Sequence, residues 1–271
     1  MTEFIIETKN VSKVFGGLIA VNSVDLKVPI GSIFSIIGPN GAGKTTLFNC
    51  ISGYYTPEKG EILFLNQEIQ GQSTDLIASQ GISRTYQNIR LFSNLTALEN
   101  IMVGQHANLN TSWLDAVLHT KRYKKESRDS LAEAKRLLNF VGLQGVGDYL
   151  AVNLPYGMQR RLEIGRALAN SPKLLLLDEP TAGMNPQESG EMIDLIRQLR
   201  DKMNISIILI EHDMRVVMEI SDQISVLDYG TKIAEGVPSD IQANEKVIEA
   251  YLGPGGAVLA KKYQNRRRNH A

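Results

Sequence analysis

The chain has 271 residues, with 29 Lys and Arg against 29 Asp and Glu, a formal net charge of zero, and 43% hydrophobic residues. This length accommodates one α/β domain with an inserted lobe, the apolar content supplies a sizeable core, and balanced charge gives no bulk attraction to nucleic acid or acidic lipid. Cys50 is the single cysteine, so no intramolecular disulfide can form, consistent with a reducing compartment. The N-terminus lacks a basic region followed by an apolar segment, and no apolar run approaches the roughly 18 residues that span a bilayer. The chain is therefore expected to reach any membrane through partners.

Short apolar runs predict strands at Phe4 to Thr8 and Ser23 to Val28. Ser32 to Ile37 fits a buried strand and runs straight into Gly38-Pro39-Asn40-Gly41-Ala42-Gly43-Lys44-Thr45. That pattern, G-x-x-x-x-G-K-[ST], is a local solution to holding a polyphosphate. Its glycines let the backbone fold around the anion with successive N–H groups pointing inward at the start of the next helix. Lys44 would reach the β- and γ-phosphates and the Thr45 hydroxyl would ligate Mg²⁺. A bland Gly-rich turn is the alternative, but strand, loop and helix occur in the order a nucleotide site needs. Thr45 to Ile51 continues as the helix, on which Cys50 is expected to pack, and Glu61 to Leu65 predicts a further strand.

From about Gln87 to Gly157 the pattern becomes helical, notably at Thr96 to Val103 and Ser127 to Val141, where Leu131, Ala134, Leu137, Leu138 and Val141 recur at helical spacing. Within this region Leu118 to Arg128 is basic and reads by default as a solvated helix face. Leu174 to Leu177 reads as a second buried strand that delivers Asp178 and Glu179 at its carboxyl end, where open α/β sheets place ligands. Asp178 would hold Mg²⁺ through water or Thr45, and Glu179 would polarise the water attacking the γ-phosphate. Asn185-Pro186-Gln187-Glu188 is an orthodox helix start. A third strand, Ile205 to Ile210, ends in Glu211-His212-Asp213, and His212 there is placed to donate a hydrogen bond to the γ-phosphate. Beyond Gly253 the chain carries Lys261, Lys262, Arg266, Arg267 and Arg268 without an acidic residue. Such a tail reads as a solvated, mobile end, with contact to an anionic membrane leaflet as the alternative.

From about Phe4 to Leu252 the chain resembles the ATP-binding subunit of an ABC transporter. The resemblance makes Gly38 to Thr45, with Thr46 adjoining, the Walker A motif and Leu174 to Asp178 the Walker B motif. Glu179 becomes the catalytic glutamate, acting with Lys44, and His212 the switch histidine. It makes Gln87 the Q-loop glutamine that reaches Mg²⁺ and links nucleotide to the membrane subunits. Phe15 stands where the family stacks an aromatic on adenine; packing beneath a loop with Val11 and Val14 is the ordinary alternative. The signature region, Leu154-Pro155-Tyr156-Gly157-Met158-Gln159, departs from the family's Leu-Ser-Gly-Gly-Gln. Pro155 cannot offer the serine hydroxyl to a nucleotide held by the opposite subunit, and Met158 replaces the first glutamine. Backbone N–H groups of the following helix can still face that anion. Asn185 also departs from the family's usual D-loop aspartate, and helix capping alone would account for it.

The departures point to a subfamily. The segments from Arg84 to Phe92, Leu154 to Leu168, Ala182 to Pro186 and Val247 to Gly253 resemble the branched-chain amino-acid importers, most closely the larger of their two ATPase subunits; urea and short-amide importers look similar. This implies an α/β fold, a P-loop ABC ATPase domain over 1–253 with a strand-rich nucleotide-binding front and a helical lobe inserted at about 88–160, and a basic tail at 254–271. It implies ATP and Mg²⁺, a second ATPase subunit, two transmembrane permeases, an external solute-binding protein, no nucleic acid, and a place on the cytoplasmic face of the inner membrane. The surface just after Gln87, with Arg90, Leu91 and Phe92, is the expected permease dock unless Leu91 and Phe92 are buried. A non-transport ABC ATPase acting on ribosomes or DNA is the other class, and one domain without sustained heptads speaks against it.

Overall fold

The computed structural model describes residues 3–108 and 111–253. The basic tail, including Lys261, Lys262 and Arg266 to Arg268, lies outside them. In chain order the strands are β1 (Phe4–Phe15), β2 (Leu18–Pro29), β3 (Ile33–Ile37), β4 (Lys59–Phe64), β5 (Gln67–Glu68), β6 (Ile82–Arg84), β7 (Leu174–Asp178), β8 (Ser206–Ile210), β9 (Gln223–Asp228) and β10 (Thr231–Gly236). The α-helices are α1 (Lys44–Ile51), α2 (Thr74–Gln80), α3 (Ala97–Gly104), α4 (Trp113–Val117), α5 (Lys121–Phe140), α6 (Tyr156–Leu168), α7 (Pro186–Met203), α8 (Met214–Ile220), α9 (Pro238–Ala243) and α10 (Glu245–Leu252). Contacts divide the chain into two units, one formed by Met1–Thr74 with Arg200–Ala271 and one by Asp75–Leu199.

The first unit contains an antiparallel sheet in the order β2-β1-β4-β5. Along β2, Val24, Leu26 and Val28 are buried at alternate positions, as a half-buried strand requires. Strands β1 and β2 run further than the predicted Phe4 to Thr8 and Ser23 to Val28. The pairing continues through an irregularity between Thr8 and Val11, where Asn10 takes φ 50 and its N–H bonds Asp25 at 2.5 Å. The bulge breaks the alternation in sequence without breaking the sheet. The unit's other strands place β3, all of it buried, between β8 and β9, parallel to both, with β10 antiparallel on β9. Near-continuous apolar runs are what a strand covered on both faces needs. Cys50 is buried in α1, and burial pushes its thiol up to about 11, so it packs rather than reacts.

In the second unit β6 and β7 pair in parallel, and all five residues of β7 are buried. Helix α3 begins at a reciprocal capping box between Thr96 and Glu99 and packs on α5 and α6. Its approach to α6 is close: a Cβ on Gly104 would lie 2.3 Å from the Arg166 carbonyl oxygen. Helix α5 starts at Lys121, earlier than the predicted Ser127, because the Thr120 side chain accepts from the Tyr123 N–H and caps it there. The basic residues Lys121, Arg122, Lys124 and Lys125 are exposed on its first turns, as a solvated face. Among the described residues no helix is long and apolar enough to cross a membrane.

Asn100 is fully buried in α3 and organises the loop before it. Its Oδ1 accepts from the Phe92 N–H at 2.9 Å, and its amide donates to the carbonyls of Phe92, Leu95 and Thr96 at 3.1, 3.3 and 2.9 Å. Leaving these groups unpaired in the interior costs about 1–3 kcal/mol each. Asn100→Leu is therefore expected to lower unfolding free energy by about 3 kcal/mol in urea titration. A loss near zero would show that the loop repairs itself.

Candidate functional site

The phosphate loop is held from behind by backbone. Gly38 takes φ 149, and a Cβ there would fall 2.0 Å from the Leu227 carbonyl oxygen; Gly43 takes φ 96, and a Cβ there would fall 2.3 Å from the Ala20 carbonyl oxygen. No side chain fits either position. The Gly230 N–H, in the turn between β9 and β10, donates to Ala42 O at 3.1 Å, and the Ala42 N–H donates to Pro39 O at 3.2 Å. Lys44 Nζ donates to the carbonyls of Gly38 and Pro39 at 2.7 and 2.9 Å, which places its charge over the loop. Gly43 occupies the N-cap of α1 with no side-chain cap, so the first-turn amides face outward beside the half-buried Thr46 and the exposed Thr45, Asn40 and Gly41.

Phe15 ends β1 and is 40% exposed. It meets Tyr55 edge to face at 5.1 Å between ring centres, with Lys13 Nζ 5.2 Å from its own. Lys13 is anchored by Glu58 at 2.6 Å. Neither Tyr55 nor Lys13 stood out in the sequence; Tyr55 meets Phe15 from the segment between α1 and β4, a long-range pairing that leaves no local pattern. His212 follows β8 with a side chain 64% exposed, Nδ1 lying 3.9 Å from the buried Glu211 carboxylate. Glu211 also accepts from the His212 N–H at 3.1 Å, and Asp213 caps α8.

In the second unit, β7 ends at Asp178, whose carboxylate is buried and receives Arg84 Nη2 at 3.3 Å from β6. Burial pushes its pKa up, and Arg84 draws it partway back. Glu179 sits in the left-handed region at φ 49, an uncommon setting for a residue with a side chain, and its Oε2 accepts from Gln87 Nε2 at 3.1 Å. The structure thus brings together Gln87 and Glu179, two residues 92 positions apart. Gln87 itself is held by a fully buried residue of α6. Arg160 donates to the carbonyls of Tyr86 and Gln87 and pairs with buried Glu163 at 3.0 Å, while Glu163 accepts from the Tyr86 and Arg90 N–H groups at 3.4 and 3.2 Å. This buried pair was not singled out in the sequence, where Arg160 reads as one of two ordinary helix arginines.

The signature segment forms the start of α6. Leu154 is buried, Pro155 is the N-cap and supplies no side-chain cap, and Tyr156 and Met158 are exposed. Gln159 turns back to donate to Leu154 O at 2.8 Å. A Cβ on Gly157 would come 3.2 Å from Glu188 Oε1. Asn185 and Glu188 exchange hydrogen bonds at 3.0 Å, Asn185 Oδ1 accepting from the Glu188 N–H and Glu188 Oε2 from the Asn185 N–H, so Asn185 serves as a helix cap. After Gln87, Leu91 is half-buried and Phe92 is 49% exposed with the Arg166 guanidinium 5.6 Å from its ring centre, so Phe92 is not a core residue.

A phosphate loop entering a helix, a buried strand ending in Asp-Glu, and a strand ending in an exposed histidine are the parts of an ATP-hydrolysing cassette. The chain belongs to the ABC transporter family of ATP-binding proteins: the family model described as ABC transporter matches residues 21–182, and one described as branched-chain amino acid ATP-binding cassette transporter matches residues 231–253. It is 46% identical over 253 residues, covering 93% of this chain and 99% of the relative, to the high-affinity branched-chain amino acid transport ATP-binding protein BraF of Pseudomonas aeruginosa. It is 45% identical, with the same coverage, to LivG of Escherichia coli, which carries the same description. Among solved structures, a nucleotide-free ATP-binding cassette from an ABC transporter aligns with TM-score 0.81 and 32% identity over 93% of this chain and 100% of that one. An ABC transporter cassette in its ADP conformation aligns equally well, at TM-score 0.81 and 32% identity over 93% of this chain and 99% of that one.

Removing one partner of the buried Arg160 and Glu163 pair strands the other's charge, which costs about 3–5 kcal/mol. Glu163→Ala should lower unfolding free energy by about that much in denaturant titration, whereas an exposed pair such as Arg136 with Glu133 should give well under about 1 kcal/mol. Equal effects at the two pairs would refute the role given to burial.

Proposed function

We propose that this chain is the ATP-hydrolysing subunit that powers import of branched-chain amino acids across the cytoplasmic membrane. The solute reading is supported by the relatives named for that transport, which span nearly the whole chain, and by the matching C-terminal segment. The observation that carries the catalytic reading is the bond between Gln87 and Glu179, which ties the glutamine expected to sense nucleotide to the carboxylate expected to act on water.

In this reading the loop amides from Asn40 to Thr46 receive the β- and γ-phosphates, and Lys44 exchanges its carbonyl partners for phosphate oxygens. Phe15 offers its open face to adenine. Glu179 accepts hydrogen bonding from the attacking water and polarises it, and exposed His212 donates to the γ-phosphate. Thr45, Gln87 and Asp178 supply oxygen donors of the type Mg²⁺ prefers, and the Asp178 carboxylate, with one arginine bond, keeps acceptor capacity for a metal-bound water. Bound Mg²⁺ would offset phosphate charge.

Closure of two ATPase subunits head to tail would set the α6 N-terminus of each toward the other's ATP. Nucleotide contacts present only in the closed state would then drive the motion. The surface formed by exposed Arg90 and Phe92 with half-buried Leu91 is the proposed contact for a permease, through which an external binding protein delivers solute. Because Arg160 joins α6 to the backbone of Gln87, a push at that surface and a push at the signature reach the same residue.

Glu179→Gln should bind ATP normally and lower turnover at its own site by about 10²- to 10⁴-fold in single-site ATPase assays. Near-normal turnover would remove Glu179 from the chemistry. Pro155 deprives the opposite site of a hydroxyl, so single-site glutamate variants of each subunit are expected to show unequal hydrolysis; equal rates would refute the asymmetry. The solute is tested by ATPase stimulation of the purified complex with its binding protein. Leucine, isoleucine or valine should stimulate; urea or short amides instead would change the cargo, and copurifying ribosomes or DNA without permeases would overturn transport.

A further inference from the structure

The turn between β1 and β2 is two glycines wide: Phe15 pairs with Leu18 across Gly16, at φ 58, and Gly17, and a Cβ at either glycine would meet no atom within 4 Å. Phe15 therefore ends its strand at an open turn, where a partly exposed ring is held by the groups that touch it rather than by a core. Those groups come from β1 itself and from the segment between α1 and β4. Tyr55 meets the ring edge to face with the planes 73° apart, and Lys13 Nζ lies within 5.2 Å of the Phe15 ring centre and 5.8 Å of that of Tyr55. Lys13 is fixed in turn by donating to Thr56 O at 2.8 Å and to Glu58 Oε1 at 2.6 Å, while Glu58 Oε2 accepts from the Val14 N–H at 2.7 Å. The Glu58 N–H donates to Ser12 O at 2.9 Å, so the segment is joined to β1 at Ser12, Lys13 and Val14. The same segment is tied to the helix of the phosphate loop. The N–H groups of Tyr54 and Tyr55 both donate to the Asn49 carbonyl of α1, at 2.8 and 3.0 Å. Asn49 follows Lys44 on that helix by about 7.5 Å of rise.

We propose that Tyr55 and Lys13 are positioning residues for the nucleobase: they hold the Phe15 ring at a set tilt and distance from α1, so that a base stacked on Phe15 and phosphates held at the start of α1 are met together. The inference rests on the phosphate loop being the ATP site and on Phe15 being the partner of the base. A phenylalanine on an open two-glycine turn would otherwise spread over several rotamers, and a base binding to it would have to select one. A second ring set across it and an ammonium held against both rings by Thr56 and Glu58 remove that freedom before the nucleotide arrives. The bonds from Tyr54 and Tyr55 to Asn49 then carry the placement to α1, which makes the base platform and the phosphate loop parts of one assembly. Neither Tyr55 nor Lys13 needs to touch the nucleotide to do this; both act through Phe15.

The test is equilibrium binding of MgATP and of magnesium tripolyphosphate, which carries the phosphates without a base, to the full-length chain, with thermal unfolding alongside to confirm the fold. Tyr55→Leu should weaken MgATP binding about three- to tenfold, the range of one aromatic pair lost, and leave tripolyphosphate binding within about twofold. Tyr55→Phe keeps the ring and should hold MgATP affinity within about twofold of the unaltered chain. Lys13→Met keeps the stem and removes the ammonium, and should weaken MgATP about two- to fivefold, again without a matching loss for tripolyphosphate. Unchanged MgATP affinity in Tyr55→Leu and Lys13→Met while Phe15→Leu weakens it, or an equal loss for the two ligands, would overturn the proposal. Unchanged MgATP affinity in Phe15→Leu would instead sink the reading of Phe15 as the partner of the base, and failure of the unaltered chain to bind MgATP would sink the reading of the loop.

Discussion

The nucleotide-binding part of this protein depends on two backbone contacts in which a carbonyl oxygen occupies the place of a Cβ. Leu227 O excludes any side chain at Gly38, and Ala20 O excludes one at Gly43. These contacts fasten the loop to the end of β9 and to β2, so the curve that receives an anion is imposed by the sheet rather than by the anion. Gly230 N–H adds a bond to Ala42 O. A loop formed in advance avoids the ordering cost that a flexible one would meet on binding. That is why β2, the end of β9 and the turn that follows β9 converge on these eight residues.

The second unit uses buried charge to the same end. Arg160 and Glu163 are taken out of water together, which contributes little net stability but makes any rearrangement costly. Their other hydrogen bonds go to backbone on either side of Gln87, through Arg160 Nη1 and Nη2 and the Glu163 carboxylate, so the helix that carries the signature helps set the position of that glutamine. Arg84 plays the corresponding part for Asp178. Strain at Glu179, a left-handed residue at the end of a rigid strand, is held by its neighbours and aims the carboxylate.

Local chemistry was legible in the sequence wherever it was written in consecutive residues. The glycine loop, the leucine run ahead of Asp178 and the Asn185 cap each appear where the pattern placed them, because each depends on a motif of four to eight positions. Strand ends were less legible: β1 continues past Thr8 only because a bulge at Asn10 is stabilised by Asp25 from the neighbouring strand. The start of α5 was masked by a basic run that reads as polar and aperiodic. Long-range pairings gave no signal. Tyr55 beside Phe15 and Arg160 beneath Gln87 are surface-type residues by composition, and only the fold reveals what they touch.

The most direct measurement of the central constraint is nucleotide binding by Gly38→Ala in the full-length chain, with far-ultraviolet circular dichroism to confirm that the fold persists. With a Cβ forced against the Leu227 carbonyl, the loop must leave its present shape, and MgATP affinity is predicted to fall by about 100-fold or more, a loss of roughly 3 kcal/mol. Retention of wild-type affinity would contradict the account, because it would mean that the loop's shape does not depend on that contact.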